Sequence, residues 1–209
     1  GLQCHLPVLV LGADASAWEI PSVDSDNQQG VREVVRLLLE LGHRRFIGLF
    51  ADQNALNTLD RQRAFLCELE RQGIPETDIW LFLSQDTFHL DPAVGDMLRA
   101  LLGLPEGRRP TAIVGGGFYL AMAALQVVSE MRLPVPASLS VTGFDDPPSA
   151  ALTVPPLTTL RQPLKQMGAT AITLLWELMQ GRTPSELCVK LPIELIVRQT
   201  TAPYTSEGG

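Results

Sequence analysis

Short apolar runs alternate with segments of helical periodicity in the middle of this chain, and this alternation limits the possible folds more than any other feature. The runs with the length of buried strands are residues 46–50, 79–83, 110–116 and 138–144. The segments with apolar residues at helical spacing are 31–41, 64–69, 93–102 and 118–131. Strands that are separated by single helices are joined by right-handed crossovers, so we expect a parallel sheet covered on both faces.

The two ends of the chain add smaller elements. An apolar run at residues 6–11 predicts an early strand, and the helical pattern over 164–180 ends at Gly181. The run LPIELIVR that begins at Leu191 predicts a late strand. We expect the polar tail over residues 203–209 to be disordered.

The charge and hydropathy of the chain exclude several classes of partner. The 209 residues carry a formal net charge of −7, whereas affinity for nucleic acid comes largely from clustered lysine and arginine. We therefore expect that this segment does not bind DNA by itself. No apolar run approaches the roughly 20 residues that span a bilayer, and the first residues do not resemble a signal peptide. These patterns predict a cytoplasmic location without membrane contact.

The residues that most often carry metal or covalent chemistry are few and scattered. The cysteines are Cys4, Cys67 and Cys188, and the histidines are His5, His43 and His89. Their spacing matches neither a disulfide framework nor a zinc cluster, so we expect no metal. No GxSxG, HExxH or paired-carboxylate pattern occurs, so we expect no catalytic residue, no cofactor and no enzyme activity. His43 lies beside Gly42 at the end of a predicted helix, where we expect a structural role.

Five motifs occur in a recognisable order along nearly the whole chain. They are LGHRR at residues 41–45, the segment 61–65, VPASLSVTGFDD at 135–146, PPLTTLRQP at 155–163 followed by Met167 and Gly168, and LPIELIVRQTT at 191–201. Together they closely resemble the effector-binding core of the lactose-repressor and galactose-repressor family of bacterial transcription regulators.

The resemblance implies a fold like the type I periplasmic sugar-binding proteins. Two doubly wound parallel-sheet lobes would be joined by crossing strands, with a ligand in the cleft between the lobes. The expected crossings lie near residues 22–26, 155–160 and 188–192. The implied N-terminal lobe, which is partial, comprises residues 1–25 and 156–188. The implied C-terminal lobe comprises residues 26–155 and 189–202, and residues 203–209 form the tail.

Family members usually begin with a helix-turn-helix head and about half of the first lobe before the position that matches Leu2. The resemblance therefore implies that DNA is bound only through a head that this segment lacks. An incomplete first lobe would expose apolar surface, which favours self-association or a missing partner segment. The implied partners are a second copy of the chain and a small sugar or sugar derivative.

The resemblance places two charged residues in the ligand cleft. Asp145 directly follows a predicted strand, at the position where members hold a sugar hydroxyl. The open alternative is that Asp145 or Asp146 only caps the turn at Pro147. Arg61 matches an arginine that members project into the cleft, where its planar group can hold two hydroxyls or a carboxylate. Its alternative is a solvated arginine on a helix surface.

Four further candidates mark the neighbourhood of the cleft. Phe88 lies near the position of an aromatic that stacks on a sugar ring, although core packing is the alternative that the sequence favours. Members commonly carry Asn-Asp where this chain has Gly117 and Phe118. The early strand ends in Gly12 where members often have an acidic residue, and Asp14 could substitute for it. Each lost polar partner is worth about 1 to 3 kcal/mol, so affinity for a typical sugar would fall or be redirected.

Three functional hypotheses follow from these residues. The first is a sensor that binds a small sugar-like effector and controls a DNA-binding head. The second is an α/β enzyme that binds a phosphate or nucleotide at the glycine run 115–117, where free amides would face an anion. The tight turn between a strand and a helix is the structural alternative for that run. The third is a degenerate sensor that serves dimerisation alone.

Overall fold

The computed structural model of the chain describes residues 6–52, 55–85 and 87–204. The α-helices of these residues are α1 (Asn27–Glu40), α2 (Leu56–Arg71), α3 (Pro92–Leu102), α4 (Phe118–Glu130) and α5 (Leu164–Met179). The strands are β1 (Val10–Leu11), β2 (Ser22–Ser25), β3 (Phe46–Ala51), β4 (Ile79–Ser84), β5 (Ala112–Gly115), β6 (Ser140–Phe144), β7 (Thr158–Arg161), β8 (Cys188–Leu191) and β9 (Glu194–Ile196). None of these helices has the length and hydropathy needed to cross a bilayer.

The strands form two sheets, which confirms the predicted α/β class. The larger sheet has the order β4-β3-β5-β6-β7-β9 and is parallel except for β9, which runs antiparallel to β7. The smaller sheet has the order β1-β2-β8 and is parallel throughout. Strands β3, β5 and β6 are neighbours although helices separate them in sequence, as right-handed crossovers require.

The central strand β3 shows why helices cover both faces of the larger sheet. Ile47 and Leu49 pack in the core with α3 and α4, whereas Phe46 and Phe50 pack in the core with α1 and α2. Successive side chains of a strand point to opposite faces, so an uninterrupted apolar run needs a partner on each side. All six residues of β3 are buried.

The chain passes between the two sheets three times. It leaves the smaller sheet after β2, returns after β7 through α5, and leaves again between β8 and β9. The expected lobe boundary at residue 156 is wrong, because β7 pairs with β6 and so belongs to the larger sheet. The boundary at residue 189 falls inside β8, which pairs with β2. The run LPIELIVR therefore forms parts of two strands, since the crossing interrupts it.

Hydrogen bonds tie the three crossings together. The Asp26 amide donates to the Leu191 carbonyl at 2.7 Å, and the Ile193 amide donates to Gln29 Oε1 at 3.0 Å. Ser25 Oγ donates to Gln162 Oε1 at 2.8 Å, which joins the first crossing to the second. The passages between the lobes therefore form one connected unit instead of three independent linkers.

The smaller lobe exposes large apolar side chains. Helix α5 buries Met167 and Ala171 against the small sheet. Its other face leaves Ile172 72% and Trp176 59% exposed, and Leu6 beside β1 is 77% exposed. Surface of this kind is typical of a protein interface.

His43 has a structural environment. Its side chain is buried and its ring nitrogens share hydrogen bonds with Thr111 Oγ1 at 3.0 Å and Ser140 Oγ at 2.9 Å. Tyr204 stacks on the imidazole with 5.7 Å between ring centroids, and its amide donates to the Leu41 carbonyl. The predicted start of the tail at residue 203 is therefore too early, because Tyr204 contacts His43 and Leu41. Residues 205–209, together with Cys4 and His5, lie outside the described residues.

The burial of His43 predicts how stability depends on pH. Burial lowers the pKa of His43 to about 4, below the value of about 6.5 for an unfolded chain. The unfolded state therefore binds more protons between these values, and stability that is complete above pH 6.5 is lost as the pH falls. We expect a loss of about 2 kcal/mol by about pH 5, measured by urea unfolding. The variant His43→Gln should flatten this profile. An unaltered slope in His43→Gln would assign the pH dependence to other groups.

Candidate functional site

Five of the six predicted ligand residues line one cavity of about 220 Å³ in the larger lobe. The cavity lies at the carboxyl ends of strands β3, β5 and β6, where open α/β sheets bind their ligands. Its lining residues are Ala51, Thr58, Arg61, Thr87, Phe88, Gly116, Gly117, Phe118, Tyr119, Leu120 and Asp145. Asp14 is the predicted residue that the structure does not bring to this cavity.

Arg61 lies on the buried face of α2, so the alternative of a solvated arginine is wrong. Its side chain reaches the cavity because it shares this face with Thr58 and Phe65, at helical spacing. The guanidinium Nε donates to Asn27 Oδ1 at 2.8 Å, and Nη1 donates to the Gly116 carbonyl at 2.9 Å. Its carbon Cζ lies 3.4 Å from the centroid of the Phe144 ring, a close cation–π contact.

Burial and nearby carboxylates shift the pKa of Arg61 in opposite directions. Burial lowers the pKa of Arg61 to about 10, and the charges of Asp145 and Asp24 oppose that shift. The guanidinium is therefore charged at neutral pH. Burial likewise raises the pKa of Asp24, whose Oδ2 accepts from Asn27 Nδ2 at 3.0 Å. Within the described residues, Nη2 of Arg61 makes no hydrogen bond to protein, so it is available to a ligand.

Asp145 is held at the edge of the cavity by its own backbone and by Gln162. Its φ of 72° lies in the left-handed region, where a side chain other than glycine carries strain. Thr159 Oγ1 donates to the Asp145 carbonyl at 2.7 Å, and Gln162 Nε2 donates to the carboxylate Oδ1. The remaining carboxylate oxygen, Oδ2, accepts no hydrogen bond from the described residues. The carboxylate is thus oriented by the second crossing between the lobes.

The adjacent Asp146 has a different environment. Its carboxylate lies 2.7 Å from Arg161 Nη2 and 2.8 Å from Arg198 Nη1, and its side chain is 4% exposed. Burial would raise the pKa of Asp146, but hydrogen bonds from Arg198 and Arg161 hold it below its usual value. Asp146 therefore fixes the turn after β6, while Asp145 remains at the cavity.

Packing explains two of the three glycines in the run 115–117. A Cβ atom on Gly116 would lie 2.2 Å from Cδ1 of the buried Phe50 ring. A Cβ atom on Gly115 would lie 3.0 Å from the Ala121 methyl group and 3.1 Å from the Thr142 carbonyl oxygen. A Cβ atom on Gly117 would have no heavy atom within 4 Å. Gly117 is the N-cap residue of α4, which therefore has no side-chain cap. Packing at the tight turn thus accounts for Gly115 and Gly116, whereas neither packing nor its extended backbone requires glycine at position 117.

An aromatic group borders the cavity. The Phe88 ring is 60% exposed and lies 5.1 Å from the Tyr119 ring, which in turn lies 5.3 Å from the Phe118 ring. The interpretation of Phe88 as a core residue is therefore wrong. These rings can contact the apolar face of a ligand that Arg61 and Asp145 hold by its polar groups.

Asp14 is occupied by local contacts in the smaller lobe. Its Oδ1 accepts from Ser16 Oγ at 2.6 Å, and its Oδ2 pairs with Lys190 Nζ at 3.1 Å. The hydrogen bond from Ser16 and the charge of Lys190 lower the pKa of Asp14 to about 2. Asp14 thus does not line the cavity, and its carboxylate is engaged by the turn and by Lys190. A contact between the lobes forms nearby instead, where Asn57 Nδ2 donates to the Gly12 carbonyl at 3.2 Å.

Sequence reasoning missed Asn27 and Gln162, which position the two charged cavity residues. Asn27 begins α1 directly after the first crossing, and Gln162 directly follows β7 at the second. Their signal in the sequence is weak, because each is a polar residue at the end of a strand. Among the described residues, no cluster of histidine, cysteine, aspartate or glutamate could hold a metal ion.

Known proteins resemble this chain in both sequence and structure. The model of the periplasmic binding protein-like domain matches residues 35–201. The arabinose metabolism transcriptional repressor of Geobacillus stearothermophilus is 33% identical over 199 residues, which are 94% of this chain and 54% of that protein. The HTH-type transcriptional repressor CytR of Escherichia coli K12 is 32% identical over 201 residues, which are 95% of this chain and 57% of that protein. The crystal structure of a LacI-family regulatory protein from Chloroflexus aggregans superposes with a TM-score of 0.81 at 29% identity. It covers 95% of this chain and 69% of that one.

These matches agree with the fold and with the cavity. The chain spans about half the length of the curated relatives that it matches, and those relatives are regulators of transcription, not enzymes. The predicted periplasmic-binding-protein-like architecture is confirmed by the family model and by the solved structure. The chain belongs to the periplasmic binding protein-like domain family and corresponds to the effector-binding core of LacI-family transcriptional regulators.

Proposed function

We propose that this chain senses a small sugar-like effector for a cytoplasmic DNA-binding transcription regulator. The convergence of Arg61 and Asp145 on one cavity beside the crossings carries the proposal. A sugar hydroxyl can donate to the Asp145 carboxylate and accept from Arg61 Nη2, while the rings of Phe88 and Tyr119 cover an apolar face. One relative is a repressor of arabinose metabolism, which supports a sugar or sugar derivative as the effector.

The cavity is connected to the crossings by a chain of hydrogen bonds. Gln162 donates to Asp145 and accepts from Ser25, so a ligand that moves the carboxylate also changes the first crossing. The contact between Asn57 and Gly12 links the two lobes. We infer that effector binding shifts the lobe angle, which a DNA-binding segment of the whole regulator would detect.

We also propose that two copies of the chain associate through an apolar surface beside the cavity. Val154 is 96% exposed, Leu152 is 79% exposed, and Val154 shares a groove with Met122 and Tyr119. Phe88 and Tyr119 line both this groove and the cavity, so ligand and partner copy would contact the same rings. Sedimentation equilibrium measures the association directly, and a strictly monomeric whole regulator would contradict it.

Isothermal titration of the whole regulator tests the sensor proposal. The panel is pentoses, hexoses, nucleosides and sugar phosphates, and each is titrated into the wild-type protein and into Arg61→Met. We expect saturable binding of one class, with loss of that binding in the variant. Absence of saturable binding, together with dimers in sedimentation, would instead support a sensor retained for dimerisation alone. Binding and turnover of a nucleotide would support the enzyme hypothesis.

A further inference from the structure

A second concave surface lies between α1 and α2 and shares no lining residue with the cavity. It has a volume of about 490 Å³. Its lining residues are Gln28, Arg32, Arg63, Ala64, Cys67, Glu68 and Arg71. We call this surface the arginine groove. The sensor function proposed above does not use it.

Helical spacing places the three arginines of the groove, together with Arg36, in two rows. Arg32 and Arg36 are four residues apart on α1, where residues at this spacing share one face of the helix. Arg63 and Arg71 are eight residues apart on α2, so their row is about 12 Å long. Arg36 does not line the groove but donates to Glu68, which does. Arginines of both helices therefore line one concave surface together with the small side chains of Ala64 and Cys67.

One buried carboxylate lies between the rows. Glu68 is 2% exposed and accepts from Arg36 Nε at 3.0 Å and from Arg71 Nη2 at 2.6 Å. The hydrogen bond from Arg71 is the main reason that the pKa of Glu68 is lowered to about 2. This cluster joins α1 to α2 and already uses the single negative charge among the described lining residues.

The other two arginines have no such role. Arg32 and Arg63 make no side-chain hydrogen bond or ion pair with any described residue. Arg32 adds a like charge four residues from Arg36, which is unfavourable in the absence of a partner. The joint between α1 and α2 does not need Arg32 or Arg63. Three of the 16 basic residues therefore line one groove, and Arg36 is bonded to its Glu68, in a chain whose net charge is −7.

We propose that the arginine groove binds a short acidic segment of a partner protein. Carboxylates four and eight residues apart on a helix lie about 6 Å and 12 Å apart, which matches the spacing of Arg32 from Arg36 and of Arg63 from Arg71. Each guanidinium can hold a carboxylate with two parallel hydrogen bonds. A nucleic acid fits less well, because its phosphates continue beyond a groove of about 12 Å onto a net acidic surface.

Fluorescence anisotropy with a labelled peptide tests this proposal on the whole protein. The probe is a helical peptide of about 12 residues with glutamates four apart and alanine elsewhere, and its control carries glutamine at the same positions. A single-stranded oligonucleotide of similar length is the second probe. We expect saturable binding of the acidic peptide that weakens severalfold between about 50 and 300 mM salt, since the contacts are exposed to solvent.

Two double variants with equal charge change separate the groove from general electrostatics. Arg32→Gln with Arg63→Gln should weaken peptide binding at least about tenfold. Arg108→Gln with Arg182→Gln, at two arginines outside the groove, should change it less than about twofold. Neither pair makes a side-chain contact that folding needs, and matching thermal unfolding curves would show this. Equal weakening by both pairs, absence of saturable peptide binding, or tighter binding of the oligonucleotide would each overturn the proposal.

Discussion

Replacing Asp145 by asparagine will weaken effector binding about 100-fold, because a hydroxyl that donates to a charged carboxylate loses about 3 kcal/mol when the charge is removed. The amide of Asp145→Asn can still accept from Gln162, so the geometry of the turn is preserved. The free energy of unfolding should therefore stay within about 1 kcal/mol of wild type. Titration with the effector identified by the panel, together with urea unfolding, measures both quantities.

The neighbouring residue provides a matched control. Asp146→Asn should leave binding within about threefold and should instead lower the free energy of unfolding by about 1 to 2 kcal/mol, because Arg198 loses its anionic partner. Loss of binding without loss of stability in Asp145→Asn, and the reverse in Asp146→Asn, would distinguish a ligand contact from a disturbance of the turn. If Asp145→Asn and Asp146→Asn reduce binding equally, then Asp145 acts through the turn and does not contact the ligand.

Gly116→Ala should lower the free energy of unfolding by about 2 to 3 kcal/mol. Its methyl group would lie 2.2 Å from Cδ1 of Phe50, whose ring is fully buried and packs against Phe65 of α2. The carbonyl of Gly116 also accepts from Arg61, so any backbone shift would disturb the cavity. Urea unfolding monitored by circular dichroism measures the loss.

Gly117→Ala is the control for this prediction. Gly117 is extended, with φ of −161°, and no heavy atom lies within 4 Å of the added methyl position. We expect stability within about 0.5 kcal/mol of wild type. Equal destabilisation by both substitutions would mean that the turn needs glycine for its backbone flexibility, and the packing explanation would fail.

The middle of the fold could be predicted from local patterns, whereas the passages between the lobes could not. Periodicity places strands β3 to β6 and their helices, since each run must bury two faces or one stripe. The same patterns do not reveal which sheet a short strand joins. Strand β7 belongs to the larger sheet, although the lobe boundary expected at residue 156 assigned it to the smaller lobe. The apolar run that begins at Leu191 is divided between β8 in the smaller sheet and β9 in the larger sheet. Those assignments depend on pairing between residues distant in sequence.

The same distinction applies to the cavity. Family resemblance identified Arg61 and Asp145, but the side chains that hold them, Asn27 and Gln162, come from two different crossings. Asp14 was expected as a possible substitute for the acidic residue that the family often has at the end of the early strand, yet Ser16 and Lys190 engage its carboxylate. A sequence shows which side chains could accept a hydrogen bond, and only the folded chain shows which are already engaged.

The open space at Gly117 leaves room for a side chain at this position. A Cβ atom can be added at Gly117, which lines the cavity, without displacing a neighbour, whereas a Cβ atom on Gly116 would collide with Phe50. Substitutions at position 117 would therefore change the lining of the cavity from a point where the backbone packing allows a side chain to start. Gly117 is the N-cap of α4, where an asparagine or aspartate side chain can accept a hydrogen bond from the first turn of the helix. We therefore expect these two replacements to stabilise α4.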